Sequence, residues 1–406
     1  MPAADSPQVL IARYLQSNGY DKTLAAFFEE TNLTIDNIKS SDSEDALTIE
    51  KVLDEKRLYD LAVKVEKVEI SEAEPSFTEP YPSEATNITS SDVVPSNILF
   101  TTIVSYLEPF DGPVLITTAA DRGLRIYSAQ TPFSLLRNFT APTNSAILYV
   151  EVISPKCLVL GTMTGLLVVI SADTGETLQS VPAHTKYTTR IIHSAPYLIS
   201  ASYDKTICLH RKSESADSPL IGDLVGKLDL PTPPEALCVL PNNTLVFSRR
   251  DSTSLFYHSL ESGLPCLSTR NLSSAVWAGW HPMAIAPHPS NPDLLAVVTS
   301  SVPHMKFLLV KTDSEEVIKE VFTGAPQSAY STPIVVWRPD ASGVWVNADE
   351  GVVRGVEVKT AKVVARLQVC EKGEKVRALW AGVVDGKEVL VTGAFDKGLK
   401  VWRVKE

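Results

Sequence analysis

Beyond residue 97, hydrophobic and polar positions alternate with a period of two, and short polar turns interrupt the alternation. The clearest unit is EVLVTGAFDKGLKVWRVK at 388–405. An apolar run, the turn Asp396-Lys397-Gly398 and a second alternating run ending on Trp402 predict a β-hairpin with one buried face. The same order of positions returns as VLITTAADRGLRIY at 114–127 and as YLISASYDKTICLH at 197–210, with Asp121 and Asp204 in the place of Asp396. A lone hairpin leaves its apolar face open, so the repetition implies units that stack on one another. Seven units follow from the pattern: they open near 98 and 146, after 184, around 245–257, near 283, from 334 and at 376. Each takes about 44 residues, the length of one four-stranded repeat.

Before residue 31 the period becomes that of a helix. Val9, Leu10, Ala12, Tyr14 and Leu15 form a stripe behind Ser6 and Pro7, and Gly19 ends it. Asp21 is placed to cap a second helix with the stripe Leu24, Ala25, Phe27 and Phe28. Two helices this short bury too little apolar area to offset chain entropy, which implies a partner surface. An acidic loop at 40–45, with Ser41 among carboxylates, reads as solvated linker. A third helix is expected over 47–70, with Val52, Leu58, Leu61, Val65 and Val68 as a stripe that suits either a parallel coiled coil or a cover for the hairpin. Residues 71–97 carry four prolines among Ser, Thr and Glu and read as a linker. The last hairpin has no outer strand after Trp402, so a latch strand is expected from within 85–94. The domain order is therefore 1–35, a helical hairpin; 36–70, an acidic loop and helix; 71–97, a linker with latch; and 98–406, the repeat domain.

The repeats resemble the WD-repeat family of β-propellers over roughly the last three quarters of the chain. In that family a turn aspartate, an inter-blade histidine, a serine or threonine and a strand tryptophan form a hydrogen-bonded brace. The resemblance assigns brace roles to Asp121, Asp204, Asp396, Trp402 and, in ProAlaHisThr, His184, while Tyr127 and His210 stand where tryptophan belongs. The N-terminal hairpin, TyrLeuGlnSerAsnGlyTyrAspLysThrLeuAlaAlaPhePhe, resembles the Lis-homology (LisH) motif, a dimerisation element. That resemblance implies a shared four-helix core and a homodimer through Ile11, Tyr14, Leu15, Tyr20, Leu24, Phe27 and Phe28. The same stripes also suit docking onto the chain's own repeat domain. Together the resemblances imply a mainly β fold, a seven-bladed β-propeller with a small N-terminal α-helical module. They imply a protein-interaction scaffold, with a substrate receptor of a ubiquitin-ligase assembly as the alternative and an enzymatic propeller as a remote one.

Charge narrows the partners. The formal net charge is −11, and residues 1–97 carry 8 basic against 19 acidic residues, so the repeat domain is neutral. A neutral domain behind an acidic arm offers no broad cationic surface, so nucleic-acid binding is not expected. The five cysteines are scattered singly through expected strands and read as reduced thiols. No apolar stretch has the length of a membrane helix and no secretory leader is apparent, so the cytoplasm or nucleus is the expected compartment.

No catalytic spacing, metal-ligand set or phosphate loop emerges, and no cofactor is expected. His281, His288 and His304 lack a completing ligand, and the hairpin glycines precede no helix. The candidate partner-binding face is instead aromatic and basic. Trp277 and Trp280 fall in an expected inter-blade loop, Tyr203 and Phe395 immediately precede turn aspartates, and Arg190 and Arg377 open inner strands; solvated arginine is the plainer reading of the last two. Trp337 and Trp380 read as core.

Overall fold

The computed structural model describes residues 7–34, 49, 77, 79–88, 96–213, 220–260, 263–273, 279–371 and 373–405. The chain divides into two compact units, one of residues 1–71 with 275–277 and one of the remainder.

In the first unit α1 (Pro7–Ser17) and α2 (Asp21–Thr31) form a hairpin. Pro7 opens α1, where its missing N–H costs nothing, and Gly19 turns the chain at a φ of 71°, in the left-handed region that favours glycine. The cap of α2 falls on Tyr20, which makes no side-chain cap bond, rather than on Asp21. Asp21 lies within the first turn, where its charge complements the helix dipole. The buried cluster of the hairpin is Val9, Ala12, Leu24 and Leu33, with Leu15, Phe27 and Phe28 half-buried against it. The helix expected over 47–70 lies outside the described residues, Ile49 apart.

In the second unit seven four-stranded antiparallel sheets form a closed ring. Blade 1 is β2 (Ile98–Val104), β3 (Val114–Ala119), β4 (Leu124–Ser128) and β5 (Leu135–Phe139). Blades 2 to 5 repeat the order with inner strands β6 (Ile147–Ser154), β10 (Thr188–Ser194), β14 (Pro234–Leu240) and β18 (Pro282–Pro287). Blade 6 opens with β22 (Val335–Trp337), and blade 7 is built from β26 (Val376–Val384), β27 (Lys387–Ala394), β28 (Leu399–Val404) and β1 (Pro82–Asn87). The apolar residues sort into seven clusters, each spanning the seam between two successive blades. That is the physical form of the repetition in the sequence: each blade buries both faces, and only a neighbour on each side supplies the cover.

The latch differs from expectation. It runs over Pro82–Asn87, earlier than 85–94, with Asn87 opposite Lys400 and Pro82 opposite Val404. Only Pro82 of this strand is buried, so no apolar alternation marks it; it is held by backbone pairing and by what precedes it. The Phe77 N–H donates to Glu357 Oε1 at 2.6 Å, and the Phe77 ring meets Trp345 edge-on at 5.4 Å and Tyr81 at 5.7 Å. Arg338 covers the ring at 4.4 Å while its guanidinium forks onto Glu388 at 3.0 and 2.6 Å, tying blade 6 to blade 7. The ring fits because Gly343 and Gly355 bear no side chain: a Cβ on Gly355 would lie 2.6 Å from Phe77 Cζ.

Candidate functional site

Six of the seven inner strands share a β-bulge one residue after they begin, at 98/100, 147/149, 188/190, 234/237, 282/284 and 376/378. A bulge re-aims the side chains beside it. Here it repeats around one end of the channel, and Glu235 and Arg377 occupy bulge positions while Arg190 follows one. The rim at that end has a second repeated element. In six of the seven blades the backbone N–H before or in the β-hairpin turn donates to the carbonyl just ahead of the inner strand, in the pairs Ala120–Asn97, Met163–Ala146, Tyr203–Tyr187, Arg250–Pro233, Ser300–His281 and Phe395–Lys375. Tyr203 and Phe395 thus occupy equivalent rim places, shared by Met163, Arg250 and Ser300, which the sequence reading missed. The signal lay in the text: the position is fixed relative to the turn, whatever residue fills it.

The mouth is built from paired charges and stacked rings. Tyr203 lies flat on Tyr187, with ring centroids 4.9 Å apart and planes at 15°, and Lys186 and Arg250 each stand 5.5 Å from the Tyr203 ring. Arg250 Nε donates to Glu235 Oε1 at 2.7 Å. Lys375 Nζ pairs with Asp349 Oδ2 at 2.8 Å, and the Ser331 hydroxyl donates to the same oxygen at 2.6 Å. Arg190 covers the Tyr149 ring at 5.0 Å, Tyr149 packs on Phe100 at 4.8 Å, and Arg377 donates to the Thr332 hydroxyl. Burial, with the like charge of Arg377, brings Arg190 down to about 10, and burial lowers Arg377 too.

Trp280 is half-buried against the seam of blades 4 and 5, so it does not form the exposed aromatic patch expected of it, and Trp277 lies outside the described residues. Trp337 is a core residue, and Trp380 packs against the core cluster at the seam of blades 7 and 1 while also lining the channel. Phe395 is half-buried.

The channel itself encloses a cavity of about 310 Å³, walled mainly by Phe100, Tyr149, Ile192, Leu237, Val336 and Trp380, with Arg190 and Glu151 as its charged groups. Glu151 lies two residues beyond Tyr149 on the same strand face. Burial pushes its carboxyl up to about 7, only partly offset by the His193 amide. A carboxyl with a raised folded pKa stabilises the fold below its unfolded pKa, and that contribution is lost as pH rises through the folded value. Glu151→Gln is therefore expected to raise stability at pH 8 by about 2 kcal/mol, with the difference fading toward pH 5, as urea titrations at both pH values would read. Equal midpoints at pH 8 would contradict this.

Of the brace residues, His184 and Asp204 are joined in one network. His184 Nδ1 is 2.9 Å from Thr206 Oγ1 and its Nε2 2.9 Å from Ser200 Oγ. The Thr206 hydroxyl donates to Asp204 Oδ1 at 2.6 Å, so it accepts from Nδ1–H, and Nε2 accepts from Ser200. Asp204 also receives the Thr185 and Thr206 amides. In blade 7, Trp402 Nε1 donates to Thr392 Oγ1 at 2.9 Å, while Asp396 is exposed and accepts the Gly398 amide of its own turn. Asp121 accepts the Gly123 amide and pairs with Arg125. Tyr127 and His210, where tryptophan is expected, are both buried. Burial lowers the pKa of His184 against the opposing pull of Asp204, and burial likewise lowers His193, His210 and His281. Depressed histidine pKa values mean stability that is present above about 6.5 and lost as pH falls through the folded values. His184→Gln should cost about 1–3 kcal/mol at pH 7.5 and flatten the loss between pH 6.5 and 5. An unchanged acid slope in the variant's denaturation midpoints would count against this role.

Among the described residues no group of three His, Cys, Asp or Glu side chains is placed to hold a metal ion, and no helix is long and apolar enough to cross a membrane. A closed ring of seven blades and a LisH hairpin ahead of it in the chain define a LisH β-propeller protein. The chain belongs to the UCP007778 family: the beta-propeller domain of that family matches residues 65–403 and its LisH domain matches residues 6–37. No curated protein matches the chain.

Proposed function

We propose that this protein is a non-enzymatic scaffold that self-associates through its LisH hairpin and offers the rim of the propeller to peptide segments of partner proteins. The observation that carries self-association is the size of the hairpin's own core. Among the described residues four buried apolar side chains are too few to hold two 11-residue helices, and Ile11 and Tyr20 are 38% and 51% exposed on the same hairpin. A second copy would cover Ile11, Tyr14, Leu15, Tyr20, Phe27 and Phe28. Pairing two propellers raises the effective concentration of the second rim, so weak contacts gain avidity. The rim supports the second half of the reading through its stacked tyrosines and repeated ring of turn residues. The five unpaired thiols suit the cytoplasm or nucleus.

The test is the solution mass of the full chain by light scattering across a concentration series. The expected value is twice the 44.2 kDa of one chain. A single-chain mass at every concentration would overturn self-association.

A further inference from the structure

Two guanidinium groups at the channel mouth have no carboxylate within ion-pair distance among the described residues. The Glu235 carboxylate is taken up by Arg250 at 2.7 Å and that of Asp349 by Lys375 at 2.8 Å. Arg190 rests on the Tyr149 ring and Arg377 on the Thr332 hydroxyl, and among the described residues neither forms an ion pair with a carboxylate. The charge of Arg377 opposes that of Arg190, while Glu235 favours Arg190 and Asp349 favours Arg377 from beyond ion-pair distance, and burial still prevails at both. Part-buried like charges whose nearest acids are each paired with another cation are costly, and an oxyanion between them would relieve both desolvation and repulsion. Directly within lies the cavity of about 310 Å³ with Phe100, Tyr149 and Trp380 in its wall. That is the lower end of the range for ligand pockets, large enough for a side chain or two and closed to a folded domain.

We propose that the channel mouth is a receptor for an oxyanion carried on a linear peptide: the anion seats between Arg190 and Arg377, and the apolar group next to it enters the cavity against Phe100, Tyr149 and Trp380. This rests on the reading of the rim as a peptide-binding face, and it adds what that face selects. The anion is a carboxylate or a phosphate, since both match the planar fork of arginine. Glu151, deeper along the same wall, disfavours a second anion and sets the inner end of the site for an apolar group.

The test uses the full chain and three minimal probes by calorimetric titration: 3-phenylpropionate, phenyl phosphate and the neutral 3-phenylpropan-1-ol. At least one anion is expected to bind at millimolar concentration or below, and the alcohol at least tenfold more weakly. The tighter anion identifies carboxylate or phosphate as the source. Arg377→Gln should weaken that anion roughly ten- to hundredfold, the loss of a charge-assisted contact. Arg190→Lys, which keeps the charge and loses the fork, should fall between parent and Arg377→Gln. Thermal melts confirm that each variant is folded; should Arg190→Lys be unfolded, Arg377→Gln, whose side chain donates to the Thr332 hydroxyl, decides alone. Alcohol binding equal to the anions, an unchanged affinity in Arg377→Gln, or no binding by any probe overturns the proposal. A dimer that ignores all three probes removes the receptor and leaves the scaffold, whereas a monomer that binds an anion does the reverse.

Discussion

A Phe77→Ala variant is expected to lose about 3–5 kcal/mol of propeller stability, the range for truncating a buried phenylalanine. Phe77 lies 280 residues from the Glu357 carboxylate that accepts its N–H, so its contacts are among the longest-range in the chain. The ring is 7% exposed and belongs to the cluster at the seam of blades 6 and 7. Losing it also frees Arg338 from its stacked partner and loosens the start of β1, which supplies the outer strand of blade 7. Ring closure multiplies the effect, because each blade's core depends on the next. Urea denaturation followed by tryptophan fluorescence measures it, since Trp345 touches the ring. Gly355→Ala offers an internal check. Its new Cβ would press on Phe77, so the substitution should cost less in the Phe77→Ala background than alone, a coupling that a double-mutant cycle reads. A Phe77→Ala midpoint within error of the parent would refute the anchor.

The second large effect concerns assembly. Ile11→Asp combined with Tyr20→Asp is expected to raise the dissociation constant of the proposed dimer roughly a thousandfold, at about 2 kcal/mol for each of two central contacts. These two positions are chosen because they are exposed within one copy, so the hairpin's own cluster of Val9, Ala12, Leu24 and Leu33 stays intact. A Leu24 substitution would confound assembly with hairpin folding. Light scattering of the double variant should return a single-chain mass at concentrations where the parent is paired, with a weaker helical circular dichroism because the unpaired hairpin has too small a core to hold its helices. A truncated chain is a useful companion, and the structure fixes where it must begin. Starting at Ser83 would remove Phe77, Tyr81 and Pro82, so Glu72 is the suitable first residue. If the double variant keeps the parent's mass, the paired surface lies elsewhere.

Much of the architecture was written in local patterns. The seven apolar–turn–apolar units, the helical stripes before residue 31 and the turn aspartates Asp121, Asp204 and Asp396 each depend on neighbours two to four positions away, which a sequence displays directly. Turn chemistry is equally local: each of these aspartates accepts the amide two residues on, from Gly123, Thr206 and Gly398, which holds Arg122, Lys205 and Lys397 at positive φ. His184 was legible for the same reason, since a histidine ahead of a recognised hairpin has its partners Ser200 and Thr206 within that hairpin.

What the sequence determined by itself was thus the kind and number of elements, because period, turn residues and blade length are properties of short stretches. Tertiary structure alone decided three things. It placed the latch at Pro82–Asn87, since an exposed polar strand carries no apolar signal and is set by pairing with β28 and by Phe77 in a notch left by two distant glycines. It turned Trp280 inward, because a seam between blades buries whatever large apolar group lies at its edge. It brought Arg190, Glu235, Arg250 and Arg377 from three blades to one mouth, a convergence produced by ring closure and repeated bulges rather than by any spacing along the chain.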